Sequence, residues 1–128
     1  KVDTDIPVEN VATTYVPIDA MEEAAKNLRN GDFVNVIYGT KEQYASHTGL
    51  IAIGPDGTAD FLHSTPPRVR EEPILEYMRR TAARNAEKEK DGKAPFVGFK
   101  FLRLEADPLA NLRAIEALLE EKIAVPKF

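Results

Sequence analysis

The sequence predicts an α+β domain in which helices flank an antiparallel β-sheet. Three observations indicate this class: short β-branched and aromatic runs, a tight turn at 54–57, and amphipathic segments on both sides of that turn. The 128 residues match the length of one domain, and the 43% hydrophobic and 30% charged residues are typical of a globular protein. We therefore expect one domain, with an extended arm at 1–17, a core at 18–104 and a helix with a tail at 105–128.

The first half of the chain is expected to contain the arm, one helix and three strands. Asp19 is placed to cap a helix that ends near Leu28, with Glu22 in the capping-box position. Pro66 and Pro67 should end the last of the three strands, because proline cannot donate a hydrogen bond to a sheet. The predicted strands cover 33–38, 48–54 and 58–65.

The second half is expected to contain a helix, a charged run, a strand and a last helix. Pro73 opens the first helix over 74–85. The run 84–93 has no apolar face and predicts a solvated insertion, whereas 97–104 predicts a strand. Asp107 should cap the last helix, whose apolar stripe we expect to pack on the core. The inward positions are Ile74, Leu75, Tyr77, Met78 and Ala82 in the first helix, and Leu109, Leu112, Ile115, Leu118, Leu119 and Ile123 in the last.

Composition excludes several classes of function. The net charge of -4, from 17 Lys and Arg against 21 Asp and Glu, argues against nucleic acid as the main partner, because phosphate binding needs a basic surface. The absence of cysteine excludes disulfides, thiolate metal sites and a cysteine nucleophile within these residues. No apolar run approaches the roughly 20 residues of a transmembrane segment. The chain begins with Lys1, so we expect an upstream segment, and any targeting sequence with it, to have been removed.

The two histidines of the chain are predicted to lie on one face of a hairpin. Gly-Pro-Asp-Gly at 54–57 is typical of a three-residue loop in which Gly57 takes the left-handed conformation. In the resulting register His63 lies opposite Gly49, where the small residue leaves room for the ring. His47 then becomes its diagonal neighbour, roughly 7–8 Å away at the backbone. The rings should border a cleft, and a helix, for which the last one is a candidate, should cover the apolar remainder of the face: Ile51, Ile53 and Phe61.

The residues alone leave several interpretations of this pair open. Each histidine could be an ordinary packed or exposed residue, or the two could act together in catalysis. They could also bind a metal, with a carboxylate from Asp32 or Asp60. A pairing of Ser46 with His47 is disfavoured, because adjacent residues of a strand point to opposite faces. The small polar neighbours that favour the catalytic interpretation are Ser46, Thr48, Ser64 and Thr65.

Three short stretches, in this order, resemble the NlpC-type cell-wall cysteine peptidases. They are LRNGDFV at 28–34, SHTGLI at 46–51 and FLHST at 61–65. Within that superfamily the chain is most similar to the bacterial N-acetylmuramoyl-L-alanine amidase-like family, over residues 18–104. The stretch 69–78, which leads into a helix, and the late GFKFLRL strand support that similarity.

The resemblance implies a papain-like α+β fold and a mechanism. A cysteine at the start of an upstream helix attacks an amide carbonyl, a histidine activates it, and a third polar residue orients that histidine. By this resemblance His47 matches the base and His63 the orienting residue, while Gly31 and Asp32 form a structural turn. The resemblance implies no cofactor, and a location in the cell envelope or outside the cell.

The chain departs from this family because it has neither the cysteine nor the helix that would carry it. Two functions remain, and whether this chain is an enzyme depends on the choice between them. In the first, it is the C-terminal portion of a cysteine amidase or endopeptidase acting on peptidoglycan stem peptides, and an upstream segment or a second chain supplies the cysteine. In the second, it is a non-catalytic binding or partner module. A metal-binding regulator that uses both histidines ranks behind them.

Overall fold

The computed structural model describes residue 7 and residues 12–104 and 106–123. The rest of the predicted arm and tail lies outside the described residues. The strands are β1 (Val16–Pro17), β2 (Phe33–Tyr38), β3 (Tyr44–Ile53), β4 (Ala59–Thr65), β5 (Arg68–Pro73) and β6 (Phe96–Leu102), and the helices are α1 (Met21–Ala25), α2 (Ile74–Glu89) and α3 (Pro108–Ile123). The strands form one sheet of order β1-β6-β2-β3-β4-β5, with every neighbouring pair antiparallel. The predicted α+β class with an antiparallel sheet is confirmed.

The hydrophobic core lies between one face of the sheet and helices α1 and α2. Alternate residues of the central strands point into it, as the period of two in a strand requires. Each such side chain contributes roughly 1.5–3 kcal/mol by leaving water. The buried members are Val34, Val36, Ile51, Ala59, Phe61, Phe96 and Phe99 from the sheet, and Met21, Ile74, Tyr77 and Met78 from the helices.

Helix α2 begins at the predicted residue but ends four residues later than predicted. The first part of the charged run, which we expected to be an insertion, extends the helix to Glu89 because its Ala, Glu, Lys and Arg residues are good helix formers. Three of the predicted inward residues are buried, while Leu75 and Ala82 are only half-buried. Thr81 and Asn85 are buried as well, which the apolar pattern did not predict.

The helix predicted from Asp19 to Leu28 is shorter and is capped differently. A 3-10 turn at Ile18–Ala20 precedes α1, and neither N-cap residue makes a side-chain hydrogen bond. Asp19 therefore lies inside the first turn and does not cap the helix. Beyond Ala25 the chain continues in turns, and Asn30 Oδ1 accepts a hydrogen bond from the backbone N–H of Ile53.

Strand β5 was not predicted. Its first four residues are exposed and three of them are charged, so it lacks the alternation that identifies a half-buried strand. The turn at Pro66 and Pro67 nevertheless pairs Thr65 with Arg68 and folds the chain back along β4. Charged residues and proline are common on such edge strands. The consequence for the site is that Glu72 is brought to the same face as the histidines.

Helix α3 has the predicted cap but not the predicted packing. Asp107 Oδ1 accepts hydrogen bonds from the backbone N–H groups of Leu109 at 3.0 Å and Ala110 at 3.3 Å. Every described side chain of α3 is exposed, and its described leucine and isoleucine side chains are 51–59% exposed. The side chain of Ile123 lies outside the described residues. The prediction that this stripe packs on the core is therefore wrong. Helix α2, not α3, covers the face that carries the histidines.

Asp32 joins the turn between α1 and β2 to the end of β6. Its side chain is 2% exposed and receives two hydrogen bonds of 2.7 Å from Arg103. The Arg103 hydrogen bonds, helped by the backbone N–H of Arg29, hold the pKa of Asp32 below its usual value although burial opposes them. Gly31 precedes it with a φ of 84° and donates to the carbonyl of Ile51. These contacts fit a structural role for the turn.

Candidate active site

The hairpin between β3 and β4 has the predicted register. Gly54 and Thr58 close the loop through a 3.0 Å backbone hydrogen bond, and Gly57 has a φ of 82°. Gly49 pairs with His63, as the three-residue loop requires. The two histidines therefore share the face that α2 covers.

The two imidazole rings are in direct contact. His47 Nε2 lies 2.9 Å from His63 Nδ1, and the ring planes are nearly perpendicular at 87°. On its other side, His63 Nε2 lies 2.8 Å from Glu72 Oε2. The three side chains thus form a chain of hydrogen bonds that begins at the half-buried His47 and ends at a carboxylate.

Glu72 is the functional residue that sequence reasoning missed. Its Oε1 accepts a hydrogen bond from Arg80 of α2, while Oε2 faces His63. Burial would raise the pKa of Glu72, but the hydrogen bonds from His63 and Arg80 outweigh that effect and lower it. Glu72 is therefore a carboxylate at neutral pH. A hairpin prediction for the Pro66-Pro67 turn was the signal that could have placed it beside His63.

The carboxylate determines which nitrogen of each ring carries a hydrogen. Glu72 can only accept, so Nε2 of His63 donates to it and Nδ1 of a neutral His63 is an acceptor. His47 must then donate from Nε2, which leaves the lone pair of its Nδ1 available. Thr65 Oγ1 lies 3.2 Å from the same His63 Nδ1 and can also donate to it. Among the described residues, none forms a hydrogen bond with His47 Nδ1.

Aromatic side chains bury His63 more completely than His47. Phe61 stacks on His63 with ring centroids 4.4 Å apart, and Tyr77 of α2 approaches His63 edge-on and lies nearly parallel to His47. His63 is only 4% exposed, whereas His47 is half-buried. The prediction that both rings border an open cleft is thus wrong for His63, because Phe61 and Tyr77 seal it.

The pKa of His47 is lowered from its ordinary value. Partial burial is the main cause, and the nearby charge of His63 acts in the same direction. His47 is therefore neutral at pH 7 and can accept a proton at Nδ1. A base of this kind, held by a second imidazole and a carboxylate, is suited to activating an acidic nucleophile such as a thiol.

Gly49 is needed for this packing, although not for the reason its small size suggested. A Cβ at this position would clash with the ring of Phe61 and would lie 2.5 Å from the carbonyl oxygen of Leu62. The room opposite His63 is therefore filled by Phe61. The missing side chain at Gly49 lets that ring lie flat against the imidazole.

Ser46 lies on the same side of the sheet as His47, contrary to the prediction. Val36 pairs with His47 whereas Ile37 pairs with Ala45, so Ser46 is an extra residue in β3. Such a bulge breaks the alternation of side chains. Ser46 lines a cavity together with Asn85 of α2, which places it on the face that α2 covers.

The metal interpretation receives no support from the described residues. Asp32 is held by Arg103, and Asp60 lies on the opposite face from His63, since strand neighbours alternate. In the described part of the chain no group of three or more His, Cys, Asp or Glu residues is arranged to hold an ion. None of the described helices has the length and apolar character needed to cross a membrane.

Compared with family models, with curated proteins and with solved structures, the chain gives no match. Of the residues singled out from the sequence, His47 and His63 are brought together. The side chain of Asp32 is bound by Arg103 instead.

Proposed function

We propose that this chain provides the base, His47, and its orienting residue, His63, to a cysteine amidase or endopeptidase that cleaves peptidoglycan stem peptides. The observation that carries the proposal is the 2.9 Å contact from His47 Nε2 to His63 Nδ1. The order of the three motifs supports the substrate class and a papain-like arrangement of the sheet. In this proposal the chain is the C-terminal portion of the enzyme, which acts in the cell envelope or outside the cell, and an upstream segment or a second chain supplies the cysteine.

The proposed reaction begins with proton transfer to His47. Nδ1 of His47 removes the thiol proton, and the thiolate attacks the amide carbonyl to form a tetrahedral intermediate. The same nitrogen then gives the proton to the leaving amine, and an acyl-enzyme remains. Water, deprotonated by His47, releases the acid and restores the thiol.

The residues behind His47 hold its ring in one orientation during these steps. The imidazolium keeps its Nε2–H directed at Nδ1 of His63, whose other nitrogen donates to Glu72. A charged donor and a polarised acceptor form a stronger hydrogen bond than two neutral groups. The arrangement therefore keeps Nδ1 of His47 as the nitrogen that takes up the thiol proton and returns it to the leaving amine.

The test uses the polypeptide as its gene encodes it, with any residues before Lys1 retained. We expect it to cleave purified muropeptides and to release a new amino group that mass spectrometry locates. His47→Asn should lower kcat by about 10²–10⁴-fold, since it removes the base. Thr48→Ser, which changes a neighbouring exposed residue on the opposite face, is the matched control and should retain full activity. Intact muropeptides with the unaltered protein, or undiminished cleavage by His47→Asn, would contradict the proposal.

The absence of cysteine supports a second candidate, a non-catalytic module that binds peptidoglycan peptides or a protein partner. This chain alone would then bind muropeptides without cleaving them. Titration of the chain with muropeptides, monitored by NMR, distinguishes the two candidates when mass spectrometry then shows whether the recovered ligand is intact. Binding with intact ligand, and no activity gained by adding upstream residues, favours the module. Failure to bind either muropeptides or an upstream polypeptide would refute it.

A further inference from the structure

A cavity of about 440 Å³ lies next to His47 along β3, on the face covered by α2. It opens between the hairpin end of β2 and β3, the second half of α2 and the turn that follows α2. Its volume is within the range of roughly 300–1,000 Å³ found for small-ligand sites. The lining residues are Tyr38, Tyr44, Ser46, Asn85, Lys88, Asp91, Lys93 and Ala94.

Asn85 is a buried polar group that faces this cavity. The residue is 6% exposed, and no hydrogen bond joins its side-chain amide to another group in the described part of the chain. Among the described residues only Thr81 Oγ1 is fully buried without a partner, so the Asn85 amide, with its two donor hydrogens and its acceptor oxygen, is reached by solvent in the cavity. A ligand in the cavity can replace that solvent. An asparagine amide is well suited to pair with a peptide group, which also has one donor and one acceptor.

Two tyrosines form an aromatic wall of the cavity. The rings of Tyr38 and Tyr44 are stacked, with centroids 6.0 Å apart and planes 21° from parallel. Burial raises the pKa of Tyr38, so its hydroxyl stays protonated at neutral pH and can donate a hydrogen bond. The wall can thus contact an aliphatic group with its ring faces and a polar group with its hydroxyls.

The charged lining of the cavity is mainly positive. Lys88 and Lys93 contribute two ammonium groups against the single carboxylate of Asp91. Among the ion pairs of the described residues, Lys90 is paired with Glu87, but neither Lys88 nor Lys93 takes part in one. A local excess of positive charge in a chain of net charge -4 favours an anionic ligand.

We propose that this cavity binds a short peptide through its carboxylate. Lys88 and Lys93 hold the carboxylate, Asn85 pairs with a peptide group, and the wall of Tyr38 and Tyr44 packs against an aliphatic side chain. The inference rests on the proposed function in one respect, namely that the peptide is then the substrate and its reacting amide extends toward His47. Ser46, which lines the cavity, directly precedes His47 in the sequence.

The binding test needs no cleavage. The ¹⁵N-labelled chain is titrated with N-acetyl-alanyl-alanine, and in parallel with the same dipeptide carrying a C-terminal amide. We expect the acid to shift the NMR signals of the Asn85 side chain and of the backbone at Ser46 and Lys93. The amide analogue should bind at least about fivefold more weakly, because it lacks the charge.

Charge variants locate the site. Lys88→Gln combined with Lys93→Gln should raise the Kd of the acid about tenfold, whereas Lys90→Gln, the matched control on the same helix end, should leave it unchanged. All three positions are exposed, so the variants should remain folded. Equal binding of acid and amide, shifts that map outside the cavity, or equal effects of the control and the double variant would each overturn the proposal.

The same titration on His47→Asn separates this inference from the proposed function. If the acid binds His47→Asn normally and the encoded polypeptide cleaves nothing, the cavity inference stands and the proposed function fails. If muropeptides are cleaved but the lysine variants leave both the Kd of the acid and the KM for muropeptides unchanged, the proposed function stands and the cavity inference fails.

Discussion

Helices α2 and α3 are alike in length and differ completely in what they contact. Each has 16 residues and an apolar stripe at helical spacing. The stripe of α2 is buried against the sheet, where Ile74 is 1% and Met78 is 5% exposed. The stripe of α3 is in water, with Leu112 at 53% and Leu118 at 55% exposed. A helical apolar pattern therefore predicts that a helix forms, but it does not predict the surface that the helix covers.

The hydrophobicity of the two stripes does not explain why only α2 is buried. The buried side of α2 includes the polar residues Thr81 and Asn85, whereas the stripe of α3 consists of leucine and isoleucine. The connections explain it better. β5 ends at Pro73 and α2 begins at the next residue, so the helix must turn directly over the sheet. α3 begins only after residues 103–107, beyond the point where Arg103 binds Asp32.

The two faces of the sheet repeat this contrast. The face under α2 carries the core and the histidines, whereas the opposite face carries apolar side chains that stay partly in water. Phe33, Leu50 and Leu102 pair directly across three neighbouring strands there and are 38–48% exposed. In the described residues, burial is thus concentrated on one side of the sheet, which is also the side of the site.

The largest expected effect is a difference in stability between a variant of α2 and a matched variant of α3. Met78→Ala removes a buried side chain of α2 and should lower the free energy of unfolding by about 2–4 kcal/mol. Leu118→Ala is the matched change on α3 and should alter it by less than about 0.5 kcal/mol, because that side chain is exposed. Chemical denaturation of both variants measures the difference. Equal losses would mean that α3 is packed in solution and would remove the contrast.

Local chemistry explains which parts of the fold could be predicted. β2 has the predicted bounds, and the β3–β4 register is correct, because β-branched runs and Gly57 act over a few residues. β5, and Glu72 with it, was missed because an exposed edge strand has no hydrophobic alternation. The side of Ser46 was wrong because the bulge is visible only in the pairing of β3 with β2. The contact between His47 and His63 followed from the register, whereas the carboxylate behind it did not.

A smaller effect is expected in the pH dependence of stability, and it should come from the residues on the sheet face that α2 covers. The folded pKa of His47 lies below its ordinary value of 6.5, so below that pH the unfolded chain binds a proton more readily than the folded chain. Stability should therefore fall as the pH drops below about 6.5. The lowered pKa of Glu72 adds a second loss as the pH falls below its ordinary value of 4.5.

Denaturation at a series of pH values measures this dependence. His47→Asn should flatten the profile between neutral pH and pH 5, whereas Glu116→Gln on the exposed α3 should leave it unchanged. NMR titration of the His47 ring gives the pKa directly. A His47 pKa at or above 6.5, or a profile that His47→Asn does not flatten, would contradict the proposed environment of the ring.

The smallest effect on global stability is expected at the cap of α3. Asp107→Ala removes the acceptor for the backbone N–H groups of Leu109 and Ala110 and should cost α3 about 0.5–2 kcal/mol. Far-UV circular dichroism should record a loss of helix, and these two amides should exchange faster with solvent. Asp107→Asn should keep the cap, since asparagine caps about as well as aspartate.

The midpoint of global unfolding should not move with either variant, because the described side chains of α3 contribute no buried surface to the core. A lowered midpoint for Asp107→Ala would show that α3 unfolds together with the sheet, and that its difference from α2 is one of degree.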